Sequence, residues 1–102
     1  RQRFIALAFN YPNEKDEAEI LINETQIDAS TAKKLVAIAN KIRNLTELGL
    51  TETVSTRLLV DAAKLIHTGL GKRLAVRVAV VEPLTDDIEI TEALSDLCDL
   101  MI

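Results

Sequence analysis

The chain has 102 residues, 48% of them hydrophobic and 27% charged, and a formal net charge of −4. That length suits one small domain, and that composition supports a packed core and excludes a disordered chain. An acidic balance argues against nucleic acid as the main partner, because phosphate contacts dominate affinity there.

No apolar run approaches the ~20 residues that a membrane-spanning helix requires, and no signal peptide is visible. The apolar residues are almost all aliphatic, with two Phe, one Tyr and no Trp. Three Gly and two Pro are few for a domain built on many tight β-turns. Cys98 is the only cysteine, so no disulfide framework and no metal-ligand spacing exists. A reducing cytoplasm fits that cysteine usage. The chain opens on RQRF without an initiator Met, which suggests a piece of a longer protein.

Residues 4–9, FIALAF, form a short apolar stretch before Tyr11-Pro12. It reads as an extended lead-in over 1–12, a strand whose partners would lie upstream. Asn13 can cap a first helix, with Glu14, Asp16 and Glu17 crowding the turn where the dipole favours anions. That helix is predicted over Glu14 to Glu24, with Ala18, Leu21 and Ile22 inward. Asp28 is the next cap. A long helix is predicted from Ala29 to Leu48, stopped by Gly49. Its inward positions are Leu35, Ile38, Ala39, Ile42 and Leu45, and Lys33, Lys34, Lys41 and Arg43 mostly lie off that face.

Thr53 or Ser55 caps a third helix ending near His67, with Leu58, Leu59, Ala62, Leu65 and Ile66 inward. The segment VRVAVV is ambiguous: its β-branched content suits a strand, but Ala75, Val78, Ala79 and Glu82 also fit a helix turn. A helix over Lys72–Val81, ended by Pro83, is the favoured reading. Asp86 with Glu89 reads as a capping box for a last helix running to Leu100. The fold expected is mostly α: a small bundle of four to five helices over 13–102, with the short extended segment in front.

Arg57 is the unusual residue. With Ser55 as cap it is the second helical residue, a cation at the positive end of the dipole. That placement costs roughly 0.3–1 kcal/mol unless an anion offsets it. A nucleotide phosphate would, since helix N-termini bind phosphate and Arg adds a bidentate fork. An exposed arginine paired with Glu52 or Asp61 is the commoner arrangement. Arg1 and Arg3 read as solvated charges when taken alone. His67 suits the negative end of its helix. Cys98, between Leu97 and Leu100, reads as a core thiol, because no base is placed to activate it. Asp86 and Asp87 are helix-start acids, since consecutive helix residues do not face each other. Lys72, Arg73 and Arg77 form a basic group, most simply a solvated face, that could meet an acidic partner. No phosphate-cradling loop, dinucleotide turn or catalytic triad is present.

The opening RQRFIALAFNYPNEKDEAEIL resembles the passage from core to lid in the MoxR branch of AAA+ ATPases. VSTRLLVDAAKLIHTGL followed by AVVEPLTDDIEI resembles, more narrowly, the C-terminal domain of the CbbQ/NirQ/NorQ subgroup. The resemblance covers essentially the whole chain. It implies an AAA+ lid-type fold for 13–102 and a lead-in over 1–12 from an ATPase core. It implies that Arg57 is a sensor-2 arginine contacting nucleotide with Ser55 beside it. Arg3 would be the arginine finger reaching a neighbouring subunit, with Arg1 a weaker candidate. It further implies ATP and Mg in the intact protein and a cytoplasmic, chaperone-like homo-oligomeric ring such as a hexamer. A von Willebrand factor A-type partner and a client enzyme are also implied, of the Rubisco-activation or nitric oxide reductase-maturation type. The phosphate loop, the acidic magnesium motif and sensor 1 would precede residue 1, so this chain alone is expected to be inactive. The alternative is a non-enzymatic helical adaptor.

Overall fold

A computed structural model describes residues 11–45 and 53–102. The lead-in FIALAF, Arg1, Arg3, Gly49 and Glu52 lie outside the described residues. Within them the elements are α1 (Glu14–Thr25), α2 (Ala29–Arg43), α3 (Thr56–His67), α4 (Lys72–Val76) and α5 (Ile88–Met101). A π-helical segment (Arg77–Val81) and a 3-10 turn (Glu82–Leu84) continue α4 towards α5. No strand occurs among the described residues, and none of their helices is long and apolar enough to cross a membrane. The fold is the small helical bundle that the residue periodicity predicts.

The helix starts follow capping chemistry. The Asn13 side-chain oxygen accepts from the Asp16 N–H at 2.8 Å, satisfying one of the donors that a helix start leaves open. Asp28 accepts from both the backbone N–H (2.9 Å) and the hydroxyl (2.8 Å) of Thr31. Those two bonds hold its carboxyl below the usual 3.8. Ser55, not Thr53, caps α3.

Two boundaries and one helix type differ from the sequence expectation. α2 ends at Arg43, short of Leu48. There the Leu45 N–H bonds back to the Ile42 carbonyl at 2.9 Å, three residues away. That contraction closes the helix without the expected glycine. The cap of α5 is Asp87 rather than Asp86, and its carboxylate accepts from the N–H groups of Glu89 and Ile90. Thr85, in extended backbone, takes the Asp87 N–H on its hydroxyl and so shifts the start by one residue. Glu89 then falls one place too early for a capping box. Lys72–Val81 is helical as predicted, but only its first half is α. The Glu82 N–H reaches back five residues to the Arg77 carbonyl. The wider π turn sweeps a narrower arc per residue, so consecutive Ala79, Val80 and Val81 are all buried.

The core is aliphatic. Leu21, Leu35, Ile38, Ile42, Leu59, Leu84 and Leu94 are its largest fully buried hydrophobic side chains, joined by Val54, Val76 and Val80. α1 packs on α2 and α3, and the α4–π segment packs on α3 and α5. Cys98 is buried, and that burial, with Asp99 nearby, pushes its thiol from 9.0 up to about 11. Its stripe runs through Leu94 and not through Leu100, which is 86% exposed.

Candidate functional site

The first turn of α3 carries the suspected residue. Arg57 is exposed, and among the described residues it has no hydrogen-bond or ion-pair partner. Asp61, one turn on, does not bridge to it. α3 has no acidic residue in its first turn, whereas α1 has Glu14, Asp16 and Glu17 there. The start of α3 therefore presents positive charge from both the dipole and the guanidinium. Ser55 lies beside it and accepts from the Leu58 N–H at 3.4 Å, a long bond for a cap.

Directly behind this turn lies a buried polar network that the sequence reading did not find. Glu17 has no solvent exposure, and the Arg43 side chain is 6% exposed. The two make a bidentate pair, with Arg43 Nη1 to Glu17 Oε1 at 2.9 Å and Nη2 to Oε2 at 2.7 Å. Arg43 Nε donates to the Val54 carbonyl at 2.9 Å, and Nη1 also reaches Asn40 Oδ1 at 3.1 Å. The Thr56 hydroxyl donates to Glu17 Oε2 at 2.9 Å. The Tyr11 ring covers the guanidinium at 3.7 Å, and its hydroxyl bonds the Thr53 hydroxyl at 2.9 Å. Such density of partners is what lets an ion pair persist away from water.

Arg43 thus corrects the expectation of a charge off the apolar face. The signal was available: Arg43 follows Ala39 at one-turn spacing, and Glu17 precedes Leu21 at the same spacing. Each charge therefore sits within an apolar stripe rather than opposite it.

The other candidates are separate from this turn. His67 is exposed at the end of α3, as its helix-end reading requires. Lys72, Arg73 and Arg77 are exposed. Arg73 faces Asp99 and Arg77 faces Glu82, each at 4.0 Å. Arg73, Leu74, Arg77, Ser95, Cys98 and Asp99 line a cavity of about 240 Å³. Among the described residues no group of three His, Cys, Asp or Glu is placed to hold a metal ion.

The described residues form a small helical domain, and sequence comparison identifies its family. The CbbQ/NirQ/NorQ C-terminal family model matches residues 17–101. The denitrification regulatory protein NirQ of Pseudomonas aeruginosa is 45% identical over all of this chain and 39% of its own length. Protein CbbQ of Hydrogenophilus thermoluteolus is 46% identical over 92% of this chain and 35% of its own. Protein NorQ of Paracoccus denitrificans is 44% identical over 95% and 36% respectively. The chain belongs to the CbbQ/NirQ/NorQ C-terminal family. It spans well under half the length of these curated relatives.

Proposed function

We propose that this domain is the lid of a MoxR-type AAA+ ATPase that assembles as a cytoplasmic ring, such as a hexamer. The intact protein uses ATP binding and hydrolysis, in a chaperone-like way, to remodel or activate a client enzyme. The name of the NirQ relative carries denitrification, and the client proposed from the family resemblance is of the nitric oxide reductase-maturation or Rubisco-activation type. A von Willebrand factor A-type protein is the proposed companion.

The observation that carries the reading is the exposed, partnerless Arg57 at the positive end of α3, within a chain of this family. Its guanidinium suits a phosphate, which takes two parallel N–H bonds and relieves the charge at the helix start. ATP with Mg supplies the phosphoryl group and the neutralising cation. Arg57 contributes oriented positive charge as negative charge shifts on the phosphate oxygens. Ser55, the cap two residues before it, is proposed to offer its hydroxyl to the same phosphate. The metal ligands are assigned to a core upstream of this domain, and Arg3 to a finger reaching a neighbouring subunit's nucleotide.

In the full-length protein, Arg57→Ala is expected to lower ATP turnover or weaken nucleotide binding. Arg3→Ala should cut turnover and leave binding nearly intact. Unchanged turnover in both variants overturns these roles.

A second reading rests on the exposed surface of α4 and the π segment. Leu74 is 51% exposed and Val78 43%, beside Arg73 and Arg77. Such a face suits an acidic, partly apolar protein partner, and an adaptor without nucleotide chemistry would use it alone. Loss of partner binding in Leu74→Asp, with Arg57→Ala silent, would favour the adaptor.

A further inference from the structure

Resting on the reading of Arg57 above, we propose that the buried Glu17–Arg43 pair, with Thr56 and Tyr11, is a positioning network for Arg57. It makes the start of α3 and the segment entering α1 move as one body.

Three neighbours of Arg57 are tied to the network. Thr53 bonds the Tyr11 hydroxyl, Val54 gives its carbonyl to Arg43 Nε, and Thr56 donates to Glu17. Val54 is itself fully buried, which fixes the chain from its side-chain face as well. Two of these bonds reach charged groups, at 2.9 Å each. The helix's own cap, by contrast, is 3.4 Å long. Charge-assisted bonds are shorter and stronger than neutral ones, so the network sets the start of α3 more firmly than Ser55 does. The other three capped helix starts differ. Asn13, Asp28 and Asp87 make caps of 2.8, 2.9 and 2.9 Å from within their own turns.

Tyr11 stands two residues ahead of the Asn13 cap and lies over the guanidinium at 3.7 Å. A shift of the chain entering α1 would therefore pull on Arg43, and through Val54 and Thr56 on the turn that carries Arg57. A guanidinium on a flexible stem cannot hold one geometry unless its backbone is held.

Thr56→Val removes one donor and keeps the shape and the ion pair. In the full-length protein it should fold and lower ATP turnover by about tenfold, as a small displacement of a positioned group does. It should alter kcat and KM in the same proportion as Arg57→Ala. Thr56→Ser should restore turnover. The double variant Thr56→Val/Arg57→Ala should lose no more than Arg57→Ala alone, since one residue acts through the other. If Thr56→Val does not fold, Tyr11→Phe provides the same cycle, because it keeps the ring and removes only the hydroxyl contact.

Additive losses, or a lowered melting temperature with turnover intact, overturn the positioning role and leave the Arg57 assignment standing. Normal turnover in Arg57→Ala overturns both.

Discussion

Arg43 and Arg57 are the same residue used in opposite ways. Arg43 is buried, with guanidinium donors on Glu17, Asn40 and the Val54 carbonyl and an aromatic ring over its face. Arg57 stands exposed with none of these. A buried guanidinium with four of its five donors engaged has little capacity left for a ligand, so Arg43 belongs to the fold. An exposed guanidinium at the positive end of a helix lowers stability slightly and keeps its donors free, as the phosphate contact proposed for Arg57 requires. The comparison shows that charge alone does not distinguish an arginine held by the fold from one left open to a ligand. Engagement of the donors does.

The largest effect that can break this distinction lies at Arg43. Arg43→Ala leaves Glu17 buried and uncompensated, and should lower stability by about 3–5 kcal/mol. Urea unfolding of the chain, followed by circular dichroism, measures it. Replacing both partners, as Glu17→Met/Arg43→Met, should recover much of that loss, because removing a whole buried pair is far cheaper than breaking it. A loss under about 1 kcal/mol for Arg43→Ala would place the pair among ordinary surface bridges.

Ser55 sharpens the comparison at the same helix start. Its cap bond is long, so Ser55→Ala should cost only about 0.5 kcal/mol, the low end for a cap. A cost near 2 kcal/mol would mean that the cap, not the network, fixes the turn.

The smallest effect concerns Cys98, where burial again decides availability. With its thiol pushed up to about 11, the folded chain should react with iodoacetamide at pH 8 far more slowly than the urea-unfolded chain. The raised thiol contributes stability below 9.0 that is lost as pH rises towards about 11. Equal labelling rates in the two states would contradict the burial.

Much of the fold is legible in the sequence because period and capping are local. Asn13, Asp28 and Ser55 cap as their residue types require. The residues that the spacing marks as inward in α1 to α3 are buried or packed against the core, and Ala63, Val36 and Glu17 are buried beside them. What periodicity misreads is non-local or geometric. The α5 cap moves from Asp86 to Asp87 because the Thr85 hydroxyl intervenes. The π segment hides in a run that alternates like a strand. Most plainly, Glu17 and Arg43 are 26 residues apart, and each looks solvated by itself. Only α1 packed against α2 joins them. Arg57 was conspicuous for the opposite reason: its dipole penalty is local and readable from one turn of sequence. Its counterpart Arg3 lies outside the described residues, and its role is carried by resemblance alone.

The most direct measurement takes Arg57→Ala in the full-length protein and reads ATP turnover and thermal stability on the same sample. Turnover should fall by roughly ten- to a hundredfold, the scale of one charge-assisted contact. The melting temperature should hold or rise slightly, since a cation leaves the positive end of α3. Full turnover, or turnover lost only in step with stability, would contradict a nucleotide-facing Arg57.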